Sequence, residues 1–391
     1  MKILVMNWQD PRNPLAGGAE VQFREVFSRI AAAGHSVTLV CSGFDGAPRE
    51  EMLDGIRVVR RGGRMLFNYL VPLIYFRRLR HEGFDVVVDD MNKIPFFTPL
   101  YVRERICGLV HHLFGGSIFH ELDPLSASYV YAMERAALAL YHRRGIPFMA
   151  VSPSTRSEML SRGFPAENLC IVPLAVDHEV FRPAGTARCP VPTLGYVGRI
   201  KRYKSIDHLI EAMPEVRAAI PGARLMVVGE GDDRPRLERM ASVLGLGGEV
   251  EFTGYVAEDE KVRRLQQMWC MVMPSSKEGW GLTVTEANAC GTPAIASDVP
   301  GLRDAVQEGV TGLLFPYGDR KALARCSISM LGNTGAREEM GERARAYAAH
   351  FTWEEAAART LRILQSVCEG VPPGRHAALG DSPELTPGPR Q

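Results

Sequence analysis

Glu278-Gly-Trp-Gly-Leu-Thr-Val-Thr-Glu286 follows a short apolar run, Cys270 to Met273, and opens a helix-forming stretch that Gly291 closes. A strand, a glycine-bearing loop and a helix make the βα unit of open α/β sheets, whose ligands bind at the carboxyl ends of the strands. Gly279 and Gly281 let the backbone approach a ligand closely, and the unpaired amides of a first helical turn suit a phosphate. Glu278 and Glu286 place a carboxylate on either side of that turn. A purely structural account competes: Thr283-Val-Thr-Glu286 fits a capping box in which Glu286 only reaches back to the backbone of Thr283.

The same alternation of apolar runs and amphipathic stretches extends in both directions. It predicts repeated βα units with mostly parallel sheets. Toward the N-terminus, Lys2 to Asn7 reads as the first strand, followed by a loop with Gly17 and Gly18 and a helix from about Ala19 to Ala33 that Gly34 stops. Val37 to Cys41, Val86 to Val88, Ile106 to Val110 and Phe148 to Ser152 are further strands. Periodicity lapses near Pro173, Pro183, Pro190 and Pro192, which marks residues 173–192 as a linker between domains 1–172 and 193–350. Strands resume at Thr193 to Val197, Arg224 to Val228, Val250 to Phe252, Cys270 to Met273 and Ala294 to Ser297. A last helical stretch begins near Phe351 and reaches about residue 369, and the Pro/Gly-rich residues 370–391 read as a disordered tail.

With 391 residues, two domains of this size fit the chain. Its formal charge of +1 gives no global field toward nucleic acid, so electrostatic recognition must be local. Eight scattered cysteines lack the paired spacing of zinc or redox motifs and point to free thiols in a reducing cytosol. No signal peptide is recognised, and no apolar run approaches the roughly 20 residues of a membrane-spanning helix. A cytoplasmic protein is expected, at most peripheral to the inner membrane surface.

Glu278 to Glu286, continued by Ala-Asn-Ala-Cys-Gly-Thr-Pro-Ala-Ile-Ala-Ser-Asp-Val-Pro-Gly-Leu-Arg-Asp304, resembles the donor-site signature of glycosyltransferase family 4. Other blocks agree in order: Gly17-Gly-Ala-Glu20, Gly198-Arg199 with Lys204, Val250-Glu-Phe-Thr-Gly254-Tyr-Val256, Gly309 to Pro316, and Phe351-Thr-Trp353. Each block is short, but the ordered set is specific. The resemblance implies a GT-B fold, α/β, of two facing Rossmann-like domains with a C-terminal helix crossing back to the first. It also implies retaining transfer of a sugar from a nucleoside-diphosphate donor to an unidentified acceptor, with no cofactor and no metal.

Within that resemblance, Arg199 and Lys204 form the diphosphate clamp, where fixed cations offset charge growing on the leaving phosphate. Isolated from it, Arg199 to Lys204 is simply a solvated basic loop. Glu278 is implied to accept from donor-sugar hydroxyls and Glu286 from the ribose. Gly17, Gly18, Gly198, Gly279, Trp280, Gly281, Leu282 and Thr283 complete the donor set, with Val256 turning its backbone to the base. His111 or the adjacent His112 supplies an active-site histidine, and the family's His-x-Leu pattern favours His111 as the one contacting sugar or acceptor. Two departures stand out: Pro173-Leu-Ala-Val-Asp177 lacks the usual Asn-Gly, and Ser205 replaces a glycine and offers itself as a helix cap.

Asp89-Asp90 and Asp232-Asp233 raise metal binding, but loop solvation and helix capping account for them on this architecture. Residues 60–80 mix six arginines, Arg60 to Arg80, with aromatic and aliphatic side chains. This segment reads either as a core helix with a solvated basic face or as a contact with anionic lipid. Rival functions on the same scaffold are nucleotide-sugar epimerisation, phosphorolysis, or noncatalytic sensing of a sugar nucleotide.

Overall fold

The computed structural model describes residues 1–375 except Asn92 and Ala184. The expected disordered tail lies outside the described residues from 376 onward. Contacts divide the chain into two units, Met1–Leu174 with the chain from Trp353, and Ala175–Thr352. Thus the irregular stretch from Ala175 to Pro192 counts with the second unit.

The first unit is built on strands β1 (Lys2–Met6), β2 (Ser36–Cys41), β3 (Glu50–Leu53), β4 (Ile56–Arg60), β5 (Val86–Asp90), β6 (Arg105–Val110), β7 (Phe148–Ala150) and β8 (Leu169–Ile171). Their order in the sheet is β3-β4-β2-β1-β5-β6-β7-β8, parallel except for the β3–β4 hairpin. Strand β1 is apolar after Lys2 and β5 is buried along its whole length, because helices cover both faces of a parallel sheet. Helices α1 (Gly18–Ala32), α2 (Phe67–Ile74), α3 (Pro124–Arg143) and α4 (Pro153–Ser161) supply that cover.

The second unit has β9 (Thr193–Val197), α5 (Ile206–Ala219), β10 (Arg224–Val228), α6 (Arg234–Val243), β11 (Val250–Gly254), α7 (Glu258–Gln267), β12 (Cys270–Met273) and α8 (Leu282–Ala289). It continues with β13 (Ala294–Ser297), α9 (Leu302–Ala305), β14 (Gly312–Phe315), α10 (Arg320–Gly332) and α11 (Thr334–Ala348). Its six strands are all parallel, in the order β11-β10-β9-β12-β13-β14. A final helix, α12 (Trp353–Glu369), belongs to the first unit and packs on α1, where Arg29 of α1 pairs with Glu354 at 2.9 Å.

Several expectations are corrected here. Residues 60–80 are not one basic helix: Arg60 ends β4, α2 begins only at Phe67, and Tyr75–Leu79 form a π turn. Asp89 and Asp90 are buried rather than solvated, and Asp89 accepts from the Thr98 and Tyr141 hydroxyls, each at 2.5 Å. Burial pushes the Asp89 carboxyl up to about 6 against those two hydrogen bonds. Ser205 holds φ +50 before α5, the left-handed geometry a glycine would supply, and its hydroxyl meets Tyr317 at 3.0 Å instead of capping the helix. Asp233 precedes α6 but binds Arg236 through both oxygens rather than capping it. The β3–β4 hairpin had a legible signal, Asp54-Gly55, both at positive φ as a tight two-residue turn requires.

Arg60 also anchors the loop after β1. Its side chain is 2% exposed, and it grips Asp10, 0% exposed, through Nε at 2.7 Å and Nη2 at 2.9 Å. A third nitrogen reaches Glu51 at 2.5 Å. Removing one member of such a buried pair leaves the other uncompensated, so Arg60→Met is expected to destabilise the first unit by about 3–5 kcal/mol. Urea unfolding followed by circular dichroism measures this, and the double variant Asp10→Leu with Arg60→Met is expected to recover most of the loss. A single variant as stable as wild type counts against the anchor.

Candidate active site

In the second unit the chain runs outward from β9 to β11 on one side and from β12 to β14 on the other. The neighbours β9 and β12 therefore flank the point where strand order reverses, which is where open α/β sheets leave a crevice. The loop leaving β9 carries Gly198, Arg199 and Lys204, and the loop leaving β12 carries Glu278 to Gly281. Ser276 joins the two, donating from its backbone and its hydroxyl to the Tyr203 carbonyl at 2.8 and 3.0 Å.

Across this junction Lys204 Nζ meets Glu278 Oε1 at 2.5 Å, with side chains only 12% and 14% exposed. Burial alone lowers a lysine pKa, but the Glu278 carboxylate outweighs it and holds Lys204 above its ordinary value. Lys204 is therefore charged at any physiological pH. Arg199 is exposed, and its carbonyl accepts from the buried Tyr196 hydroxyl at 2.9 Å, which fixes the loop from below.

Glycines let these loops pack. A Cβ on Gly229 would stand 2.0 Å from the Gly198 carbonyl oxygen, and one on Gly231 would stand 2.0 Å from that of Ile200. The backbones zip through Ile200 N–H to Glu230 O at 2.9 Å and Gly229 N–H to Gly254 O at 2.9 Å. This brings the turn before Val256, which is half-buried, beside the Gly198 loop. On the other flank a Cβ on Gly301 would lie 2.4 Å from the Glu278 carbonyl oxygen.

Helix α8 starts at Gly281, whose φ of +92 places it at the N-cap. Its first-turn amides, those of Leu282 and Thr283, have no carbonyl one turn back to bond. The capping-box account of Glu286 is thus overturned, because Thr283 lies inside the helix and Glu286 turns to α7. There Glu286 Oε2 lies 2.6 Å from Lys261 Nζ. The Trp280 side chain is 1% exposed, donates to Thr285 Oγ1 at 2.9 Å and packs edge-on against Phe351.

In the first unit the strand order reverses between β1 and β5, and polar groups again gather at the carboxyl ends. The Gly17 N–H donates to Glu20 Oε2 at 2.7 Å, tying the glycine pair to the start of α1. His111 Nε2 lies 3.4 Å from Asp90 Oδ1. Burial opposes a charge on His111, yet Asp90 and Glu20 outweigh it and raise its pKa, while burial with Asp90 raises that of Glu20. His112 instead packs edge-on against Phe114 at 4.5 Å. The loop beyond is held by Glu134 of α3, whose two oxygens accept from the Phe114 and Gly115 amides at 2.6 and 2.9 Å.

The structure therefore gathers Gly198, Arg199, Lys204, Val256, Glu278, Gly279, Gly281, Leu282, Thr283 and Glu286 in one unit and Gly17, Gly18, His111 and His112 in the other. Lys261, Asp90, Gly229, Gly231 and Gly301 escaped the sequence reading as site residues. The Gly-x-Gly alternation after β10 was a usable sign of close backbone approach. The Lys261 pairing had no local sign, since 25 residues separate it from Glu286. Among the described residues no group of three or more His, Cys, Asp or Glu is arranged to hold a metal ion.

Residues 16–180 match the family model described as Glycosyltransferase Family 4, and residues 179–347 match that of Glycosyl transferases group 1. The GDP-mannose-dependent alpha-(1-6)-phosphatidylinositol monomannoside mannosyltransferase of Mycolicibacterium smegmatis is 30% identical over 93% of this chain and 97% of its own. A D-inositol 3-phosphate glycosyltransferase of Stackebrandtia nassauensis is 33% identical over 54% of this chain and 52% of its own. Among solved structures, sucrose-phosphate synthase from Thermosynechococcus elongatus superposes with a TM-score of 0.81 at 23% identity, over 94% of this chain and 99% of that one. Anabaena HepE in complex with UDP and glucose gives 0.74 at 18% identity, over 94% and 100%. Together the two family models and the mannosyltransferase relative span both units, and the chain belongs to glycosyltransferase family 4, with the GT-B fold.

Proposed function

We propose that this glycosyltransferase takes a sugar from a nucleoside-diphosphate donor and transfers it with retention at the anomeric carbon. The observation that carries the reading is the Lys204–Glu278 pair beside the first turn of α8. It sets a permanent cation and a carboxylate next to helix amides that can donate to phosphate oxygens. The bond from the anomeric carbon to the diphosphate breaks, and the diphosphate departs with the electron pair. Lys204, Arg199 and the amides of Leu282 and Thr283 stabilise that charge. Glu278 accepts from sugar hydroxyls and Glu286 from the ribose. The acceptor oxygen bonds on the face the diphosphate left, and its proton passes to the departing phosphate. His111, oriented by Asp90, contacts the transferred sugar or the acceptor. GDP-mannose is the donor to test first, because relatives spanning the whole chain depend on it.

We also propose a peripheral contact with anionic lipid. No described helix is long and apolar enough to cross a membrane. Around α2, however, Met65, Leu66, Tyr69, Leu73 and Phe76 are 41–80% exposed, beside the exposed Arg64, Arg77, Arg78 and Arg80. Exposed apolar side chains rimmed by arginines suit an interface between headgroups and acyl chains. Phosphatidylinositol-linked acceptors, as in the names of the mannosyltransferase relatives, present such a surface.

Three outcomes are expected. Glu278→Gln lowers transfer strongly while free nucleoside diphosphate binds almost normally. Glu286→Gln weakens the diphosphate itself by roughly ten- to a hundredfold, the worth of a hydrogen bond to a charged group. Calorimetry with GDP and UDP decides, and unchanged affinity in Glu286→Gln with the fold intact rejects its ribose contact. Second, turnover persists in excess EDTA, since fixed cations serve the diphosphate; complete loss restored by magnesium or manganese overturns the clamp. Third, co-sedimentation with anionic vesicles exceeds that with neutral ones and falls with salt. Equal co-sedimentation removes the lipid contact and leaves the transferase reading standing.

A further inference from the structure

Glu286 poses a chemical difficulty that its own helix does not resolve. It is 5% exposed, and burial pushes its carboxyl above the ordinary range. A neutral carboxyl spends one oxygen as a donor and is a poorer acceptor for two vicinal hydroxyls. Among the described residues the charged groups acting on Glu286 both lie on α7: Lys261, which favours ionisation, and Glu258, which opposes it. The Cys290 thiol, one turn along α8, is kept protonated by burial. Lys261 Nζ stands 2.6 Å from Glu286 Oε2, and the same ammonium lies 5.0 Å from the centre of the Phe181 ring. The two contacts fix the lysine from either side. They engage one carboxylate oxygen and leave the other to accept from a ligand.

We propose that Lys261 is a positioning residue of the donor site, keeping Glu286 a carboxylate and aiming its second oxygen at the ribose hydroxyls of a nucleoside diphosphate. The inference rests on the ribose reading of Glu286. Lys261 itself touches no ligand in this scheme, so its loss acts through the protonation of its partner. Without the ammonium the Glu286 pKa rises further, and the fraction ionised falls as pH drops through that raised value. Binding in a Lys261 variant is therefore lost on the acid side at a higher pH than in wild type.

The test uses the full chain and calorimetry with GDP and with UDP between about pH 5.5 and about pH 8.5. Each variant's affinity is divided by that of wild type at the same pH, which cancels ionisation of the ligand phosphate. Lys261→Met keeps the stem over Phe181 and removes the charge. Its ratio is expected to stay near one at the alkaline end and to fall by roughly tenfold toward the acid end. Lys261→Arg is expected to remain within about threefold of wild type throughout, because it restores the cation. In a Glu286→Gln background Lys261→Met adds no pH dependence. Should Lys261→Met not fold, Lys261→Gln provides the same comparison. A loss equal at every pH assigns Lys261 a merely structural role and overturns the proposal, as does no loss at all. If Glu286→Gln alone binds like wild type, the ribose reading fails first and the proposal falls with it, a result distinct from either.

Discussion

A carboxylate drawn out of bulk water is held as an anion by a cation or by hydrogen-bond donors beside it. The second unit meets this constraint twice, with Lys204 at Glu278 and Lys261 at Glu286. The two solutions differ in a way that matters. Lys204 lies on a loop at the strand-order reversal, where the proposed function has its charge serve a phosphate as well as the carboxylate. Lys261 lies on a helix and is committed to its partner and to Phe181.

Placing Lys204 requires backbone segments to approach closer than any side chain allows. Gly229 and Gly231 lie against the carbonyls of Gly198 and Ile200, and Gly301 lies against that of Glu278. The clamp loop is thus locked between β10 on one side and the Glu278 loop on the other. This preorganisation is what gives fixed charges value in a transition state, since they need not reorganise as charge develops.

The longer parallel strands and the parallel character of both sheets were legible because burial on both faces forces apolar runs and helix starts demand particular residues, while the main site blocks were legible through the family resemblance. Gly281 and Glu278 announced themselves in this way. What escaped were relations across sequence distance or against local propensity. Arg60 read as part of a basic helix because arginine is usually solvated, yet it ends a strand and is buried on Asp10. Trp280 lay within a donor motif, but its indole satisfies Thr285 and Phe351 in the core. Asp89 and Asp90 looked like loop residues because acids rarely end a buried strand; here hydroxyls of Thr98 and Tyr141 satisfy Asp89, and His111 stands beside Asp90.

The two units also differ in the sign of what they gather, although the whole chain is nearly neutral. The second unit supplies Arg199 and Lys204 with helix amides, groups that attract a diphosphate. The first supplies Glu20, Asp90 and His111; burial raises the Glu20 pKa, and the neighbouring Asp90 and Glu20 raise that of His111 against its burial. Buried carboxylates are acceptors, and the ligands that satisfy several acceptors without bringing negative charge are polyols. A phosphate entering the first unit's cluster would meet repulsion from Glu20 and Asp90, which a protonated His111 only partly offsets. The local charge of each unit is thus set by a few side chains at the ends of its own strands, without any net field from the protein.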